Sequence, residues 1–379
     1  MIKVLILYVD AGHGHRKVAE AVEKELRSRN LPNFRIEIAD ALERTNWLFQ
    51  SSYPQIYFHL VRWVPWLWGF FFYFLNFPEI YFFISPLRSF WNRLQSVKLR
   101  RYLKSEQFDF ILFTHFFPAE VCATAKKNGE LNAQLITIVT DVIPHKVWQN
   151  SGMDSYWVMA EESAETLIKG GVSRQQIYSK GIPVSSEFLQ KNNSVLLKEK
   201  LGLKQDRLTI LFTSGSFGIG PTEAVLDSFQ KLNNQIQALV ICGRNHVLFE
   251  SLNRKRYPFP VILFGFVNNM HEMMSASDLL IAKSGGATMC ESLVKTIPMV
   301  IMSPIPGQES YNAKWLLSHQ AAFQITNPGE VKEIVSRILS QPNMLESMHK
   351  AIERIAKPHA TRDIVDFILE RSRSKAEKC

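Results

Sequence analysis

Short apolar runs rich in β-branched residues alternate along this chain with segments whose apolar positions recur every three or four residues. "KVLILYV", "RIEIAD", "DFILFTH", "QLITIVTD" and "SYWVMA" in the first half predict strands. "LTILFTSGS", "IQALVICG", "PVILFGFV", "DLLIAKSGG" and "PMVIMSPI" do the same in the second. The runs are apolar almost throughout, the form of strands covered on both faces by helices in a parallel sheet. Between the first two, "RKVAEAVEKELRSR" puts Val18, Val22 and Leu26 on one helical face. The alternation breaks at "YSKGIPVSSEFLQKNNSV", where Gly181, Pro183 and a polar run mark a linker. A chain of 379 residues also exceeds what one hydrophobic core organises. The expected fold is α/β, with two doubly wound Rossmann-like domains facing a cleft and ligands at the carboxyl ends of their strands. The boundaries expected are 1–183 and 184–357, with 358–379 forming a C-terminal helix and basic tail.

One stretch departs from this pattern. "RWVPWLWGFFFYFLNFPEIYFFISP", residues 62–86, lies in an insertion at 47–105 between the second and third strands. Sixteen uncharged residues separate Arg62 from Glu79, short of the ~20 that a helix needs to cross a bilayer. Pro65 and Pro78 shorten any continuous helix further. Trp and Tyr favour the headgroup level, and here Trp63, Trp66, Trp68, Tyr73 and Tyr81 crowd among phenylalanines. Arg88, Arg93, Lys98, Arg100, Arg101 and Lys104 follow, with no acid between Glu79 and Glu106. An aromatic segment beside a polybasic one predicts monotopic attachment to an anionic membrane surface. An aromatic-rich core hairpin and a spanning helix are the alternatives.

Composition narrows the setting. The formal net charge of +9 favours an anionic partner without choosing among nucleic acid, an acidic bilayer and a phosphorylated substrate. Cys122, Cys242, Cys290 and Cys379 are scattered with no CxxC pair, which argues against a disulfide framework or a zinc site and for a reduced, cytosolic environment. The opening "MIKVLILYVD" is too short an apolar run for a signal peptide and reads as a buried strand.

Three strand–turn–helix junctions could hold an anion on backbone N–H groups. "VDAGHGHRKVAEAV" carries His13 and His15, and a histidine at a positive helix end tends to stay neutral, which suits a general base. "LFTSGSFGIGPTEAV" offers Gly215, Ser216, Gly218 and Gly220; "IAKSGGATMCESL" offers Ser284, Gly285, Gly286, Ala287 and Thr288. Glu291 lies where a carboxylate could accept both hydroxyls of a ribose whose diphosphate rests on the helix end. Gln308 and Glu309 follow a Pro-Gly loop and suit hexose hydroxyls.

These segments together resemble the GT-B glycosyltransferases of family 28, in the branch of monogalactosyldiacylglycerol synthases and processive diacylglycerol glucosyltransferases. The carrying residues are "GHGHRKVAEA", "TDVIPHKVW", "KGIPVSSEF", "FGFVNNMHEMMSASDLLIAKSGGATMCESL" and "PIPGQESYNA". The resemblance implies that the second domain binds a UDP-sugar, with Phe266 and Val267 at the uracil and 284–288 at the diphosphate; the glycine turn carrying Gly215, Ser216 and Gly218 is expected to stabilise departing UDP beside them. It places Glu291 at the ribose, and Gln308 and Glu309 at the sugar. It implies diacylglycerol as acceptor in the first domain, His15 or Asp141 as base, and His145 and Trp148 near the cleft. His13 stands where relatives carry a small or polar residue, so its role stays open.

The expected reaction is inverting transfer of a hexose from UDP-galactose or UDP-glucose to diacylglycerol, at the cytoplasmic face of a membrane. No metal, cofactor or nucleic acid is expected, and no DxD triplet occurs. Transfer from UDP-GlcNAc to a polyprenyl-linked lipid, UDP-sugar epimerisation, and a non-catalytic basic binding protein are the alternatives.

Overall fold

The computed structural model describes residues 1–10, 12–213, 215, 220–232 and 235–376. Among these, two six-stranded sheets carry the fold, and every strand pair in both is parallel. The first contains β1 (Ile2–Tyr8), β2 (Phe34–Asp40), β3 (Phe110–Phe113), β4 (Gln134–Ile138), β5 (Ser155–Trp157) and β6 (Ile177–Tyr178), in the order β2-β1-β3-β4-β5-β6. The second contains β7 (Leu208–Thr213), β8 (Ile236–Ile241), β9 (Val261–Phe264), β10 (Leu279–Ala282), β11 (Met299–Met302) and β12 (Ala322–Ile325), in the order β12-β11-β10-β7-β8-β9. The expected α/β fold with two doubly wound halves is therefore present. Each sheet reverses its winding once, between β1 and β3 and between β7 and β10, and such switch points are where open α/β sheets bind ligands.

Helices connect the strands. The first half holds α1 (Gly14–Ser28), α2 (Trp47–Trp63), α3 (Pro65–Phe74), α4 (Pro78–Gln95), α5 (Val97–Glu106), α6 (Phe116–Lys127) and α7 (Glu161–Lys169). The second holds α8 (Ser194–Lys200), α9 (Thr222–Ser228), α10 (His246–Asn253), α11 (Met270–Ser275), α12 (Gly286–Val294), α13 (Gln308–Ser318), α14 (Glu330–Ser340) and α15 (Asn343–Ile355), and α16 (Ala360–Ala376) closes the chain. Val18, Val22 and Leu26 form the buried face of α1, as their spacing predicts. Leu5 and Leu7 of β1 are fully buried in the first core, each side chain contributing about 1.5–3 kcal/mol relative to exposure. Two strands escape the sequence pattern. β6 has two residues and β12 has four, with only its end residues buried, so neither develops a recognisable run.

The chain divides into two compact units: Met1–Ser186 with Pro306–Gln308 and Lys357–Cys379, and Glu187–Ile305 with Glu309–Ala356. The last helix thus groups with the first unit. Phe367 of α16 packs on Trp157 and Tyr178, whose rings stack 5.0 Å apart, and Arg29 Nη2 reaches Asp366 at 3.0 Å.

The insertion forms α2 to α5. No single helix among the described residues is long and apolar enough to cross a membrane, and α3 and α4 are bent by 99° at their junction. Nor is the segment a buried hairpin. α2 buries no residue, α3 only Gly69 and α4 only Asn92, while Trp63, Trp66, Phe70, Phe77, Phe82, Phe83, Leu87 and Phe90 face outward. The basic stretch is partly committed to ion pairs. Arg88 contacts Glu120, and Arg93 and Arg100 contact Glu130, whereas Lys98, Arg101 and Lys104 are exposed.

Gly181 fixes where α16 returns. Its φ is +99°, and a Cβ there would lie 2.4 Å from Cβ of Lys357. Gly181→Ala should therefore lower stability by roughly 2–4 kcal/mol, through strained backbone and a collision between two chain segments. A denaturant midpoint unchanged from wild type would show that neither constraint operates.

Candidate functional site

In the first unit, loops from the carboxyl ends of β1, β3 and β4 converge. The turn after β1 leads through His13, in a left-handed conformation at φ 60°, into α1. His13 Nδ1 lies 3.4 Å from Asp10 Oδ1, and Arg16 Nη1 lies 3.7 Å from Oδ2 of the same carboxylate. The side chain of His13 thus belongs to the Asp10 cluster of the turn.

His15 turns toward the sheet. Its Nδ1 lies 2.6 Å from the carbonyl oxygen of Thr114, just beyond β3, and 3.2 Å from Thr140 Oγ1, just beyond β4. Thr114 Oγ1 in turn donates to the His15 carbonyl at 2.9 Å. A carbonyl oxygen only accepts, so Nδ1 carries the proton and Nε2 is the basic atom, an assignment made from the hydrogen-bond network. Desolvation pulls the pKa of His15 down to about 4, opposed by the Thr114 carbonyl. The ring is therefore neutral at pH 7, as a base must be. Asp141 follows Thr140 directly and is half-buried.

Two further histidines stand in the loops beyond β3 and β4. His115 stands 4.7 Å from His15, edge to face, and its Nδ1 caps α6 by accepting from the Phe117 N–H at 3.1 Å. Burial holds its pKa well below the ordinary value, with His15 lowering it further. Sequence reasoning passed over His115. The available signal was its place as the last residue of a strand candidate, at the carboxyl end of the sheet. His145 has the opposite tautomer to His15: Nδ1 accepts from Val147 N–H at 3.1 Å, so Nε2–H donates to the Phe72 carbonyl at 2.8 Å. The Phe72 and His145 rings lie 4.5 Å apart, and Lys146 N–H donates to Asn76 Oδ1 at 3.0 Å. The loop bearing Thr140 and Asp141 is thereby fastened to α3 of the insertion. Burial lowers the pKa of His145 to about 4, and the nearby Arg88 contributes to the shift. Trp148 is buried at the end of the same loop.

In the second unit, the loop between β10 and α12 provides the sharpest geometry. Gly285 is the N-cap of α12 with extended backbone, so the N–H groups of Gly286, Ala287 and Thr288 begin the helix without intrahelical partners. Ser284 is fully buried; its hydroxyl donates to the Glu309 carbonyl at 2.7 Å, and Asn312 Nδ2 donates to the Ser284 carbonyl at 2.9 Å. Ser284 therefore ties the loop to α13, and its side-chain proton is engaged there. Glu309 Oε2 accepts from Ile305 N–H at 2.7 Å, while Oε1 is 3.6 Å from where a Cβ on Gly285 would lie. Burial raises the pKa of Glu309, opposed by Ile305 N–H and Lys283; burial lowers that of Lys283, opposed by Glu309. Lys283 also went unremarked in the sequence. Glu291, at 5% exposure, projects from the middle of α12. Phe266 is exposed just beyond β9 under the guanidinium of Arg244, 5.6 Å from the ring centre, and Val267 beside it is half-buried.

Gly215, after β7, has a φ of +70°, while Ser216 and Gly218 lie outside the described residues. Gln308 opens α13 and groups with the first unit, whereas Glu309 groups with the second. Among the described residues, no group of three or more His, Cys, Asp and Glu could hold a metal ion.

Residues 15–184 match the family model described as monogalactosyldiacylglycerol (MGDG) synthase, and 209–365 match the glycosyltransferase family 28 C-terminal domain. A processive diacylglycerol beta-glucosyltransferase of Bacillus cereus (strain AH187) is 28% identical over 377 residues, covering 97% of this chain and 93% of that protein. Among solved structures, MurG of Acinetobacter baumannii is similar with a TM-score of 0.62 at 14% identity, over 98% of this chain and 100% of that one. UDP-GlcNAc 2-epimerase of Neisseria meningitidis, bound to UDP-GlcNAc, gives 0.62 at 12% identity, over 97% and 100%. These two likenesses are of fold.

The depressed histidines make stability depend on pH. The unfolded chain protonates each near 6.5, whereas folded His15 and His145 resist until about 4, so the unfolded state binds more protons between these values. Their contribution is intact above 6.5 and shrinks as pH falls toward 4. His145→Gln, which stays neutral, should flatten the loss of stability between pH 7 and 5 measured by denaturant unfolding. Parallel wild-type and variant curves would show that His145 titrates normally.

Proposed function

Because the chain belongs to glycosyltransferase family 28, in the branch of the monogalactosyldiacylglycerol synthases, we propose that it moves a hexose from a UDP-sugar to the free hydroxyl of diacylglycerol. The observation that carries the chemistry is the tautomer of His15, whose Nδ1 bond to Thr114 leaves Nε2 basic at the switch point of the first sheet. In the proposed step the acceptor oxygen attacks the anomeric carbon, and its proton passes to Nε2 of His15 or to the carboxylate of Asp141. The bond from the anomeric carbon to the β-phosphate oxygen breaks, UDP departs with the electron pair, and the anomeric centre inverts.

The charge developing on UDP would meet the N–H groups of Gly286, Ala287 and Thr288 at the start of α12, together with the turn after β7 that holds Gly215, Ser216 and Gly218. Ser284 would contribute backbone, since its hydroxyl already donates to Glu309. Phe266 and Val267 would border the uracil, Glu291 would accept from the ribose, and Gln308 and Glu309 would orient the hexose. UDP-glucose and UDP-galactose are both suitable donors for this set of groups.

The acceptor is a membrane lipid, and the outward-facing aromatics of α2 to α4 supply the means of reaching it. Their indoles and phenyl rings would lie at the headgroup level, with Lys98, Arg101 and Lys104 toward anionic lipid. The protein is thus a peripheral or monotopic enzyme at the cytoplasmic face of a membrane.

Purified protein with labelled UDP-sugars and diacylglycerol liposomes should produce lipid-soluble label; isomerised free UDP-sugar, or no turnover, would overturn the reading. His15→Ala should reduce transfer by about 10²–10⁴-fold with the donor KM nearly unchanged. The acid limb of wild-type kcat/KM should fall near pH 4, where His15 gains its proton, rather than near 6.5. Replacing Phe82 and Phe83 together by Ser should weaken sedimentation with anionic vesicles, because both rings are more than 70% exposed. Undiminished sedimentation would remove α4 from the attachment surface.

A further inference from the structure

The insertion has a polar inner face as well as an aromatic outer one. On α4, Tyr81, Arg88 and Asn92 are spaced by seven and four residues and fall on one side, while Phe82, Phe83, Leu87 and Phe90 are exposed. Arg88 Nη2 donates to the Tyr81 hydroxyl at 2.6 Å and lies 3.0 Å from Glu120 Oε2 on α6. Asn92 Nδ2 donates to the same Oε2 at 2.8 Å, and Glu120 is 5% exposed. These contacts fasten α4 to α6, and they use only one of the three guanidinium nitrogens. Nε and Nη1 of Arg88 are both buried and have no hydrogen-bond partner.

A buried donor on a cation that goes unmatched is among the costliest polar arrangements in a protein, and native structures rarely keep one without a reason. Two such donors on one side chain call for acceptor oxygens from outside the chain. Since Glu120 already balances the charge of Arg88, a neutral oxygen suits the site better than a phosphate. The surroundings point the same way. Arg88 acts electrostatically on Tyr53 and on His145, and the Tyr53 ring stands edge-on to His115, 6.2 Å away. His115 in turn contacts His15. Glu120, which the guanidinium contacts, stands in the second turn of α6, the helix that His115 caps, while the other face of α4 is aromatic.

We propose that Nε and Nη1 of Arg88 each hold one of the two ester carbonyl oxygens of the acceptor glycerolipid, which places the lipid's free hydroxyl toward His115 and His15. Ester carbonyls accept and never donate, which matches a donor-only guanidinium. The inference rests on the proposed transfer to diacylglycerol and names the part of the lipid that is recognised.

The test compares diacylglycerol with the dialkylglycerol of the same chain lengths, which keeps the hydroxyl but lacks both carbonyls, in mixed micelles with saturating UDP-sugar. The wild-type enzyme should show a KM for the diester lower by roughly tenfold or more than for the diether. The double variant Arg88→Met/Glu120→Gln removes the charge pair together, so no lone buried charge remains. It should unfold thermally near the wild-type temperature, keep the UDP-sugar KM, and treat the two acceptors alike. A wild-type enzyme indifferent to the carbonyls, or a folded double variant that retains the preference, would overturn the role of Arg88 alone. Transfer to neither acceptor by the wild-type enzyme would overturn the function on which it rests. The wild-type comparison stands whether or not the variant folds.

Discussion

The hydrogen bond from His15 to the Thr114 carbonyl joins the two turns between which the first sheet reverses its winding. β1 and β3 are neighbours in the sheet but are separated in sequence by α1, β2 and the whole insertion. Their parallel pairing over Val4–Leu7 and Phe110–Phe113 brings both carboxyl ends to one edge, and the imidazole spans the gap that remains. The bond sets the ring's tautomer and also its burial, which keeps it neutral. A water-exposed histidine in a glycine turn would have neither property. The position of the basic nitrogen is thus a product of strand pairing first and of local sequence second.

The insertion shows the opposite economy, with little apolar burial and several specific polar contacts. His145 to the Phe72 carbonyl, Lys146 N–H to Asn76 and Arg88 to Glu120 attach it to the sheet's own loops and to α6. If its aromatic face lies in lipid, apolar packing against that face contributes little to holding the helices together, because lipid is as apolar as the side chains. Directional contacts then carry the attachment. The loop carrying Thr140 and Asp141 shares these contacts, so a shift of α3 would be felt where the proposed base stands.

Much of the fold was legible because buried parallel strands write themselves as long apolar runs, and α1 as a repeat of Val18, Val22 and Leu26. β6 was not, since two residues carry no period, and neither was β12, whose inner residues Phe323 and Gln324 are not buried and so interrupt its apolar run. The character of residues 62–86 was legible from residue type, because Trp and Phe between prolines suit an outward face more than a core. Their basic neighbours read less well. Charge counts do not tell an exposed Lys104 from an Arg88 held by Glu120, which lies 32 positions further along the chain. His115 was hidden for a related reason: its importance comes from β3 lying beside β1, and no local spacing records that adjacency.

The donor half of the proposed site illustrates how a carboxylate can stand near an anion-binding helix end. Glu309 comes close to Gly285, the cap of α12, where a bound diphosphate would repel a bare carboxylate. Burial disfavours its charge, the Ile305 N–H occupies one oxygen, and the charge of Lys283 acts in the opposite sense to burial. The absence of a side chain on Gly285 leaves the other oxygen facing the turn. In the proposed donor complex a hexose hydroxyl would donate to that oxygen while the diphosphate met the N–H groups at the start of α12. The glycine and the buried pair therefore act together: one opens the approach, and the other keeps the approach from being closed by charge.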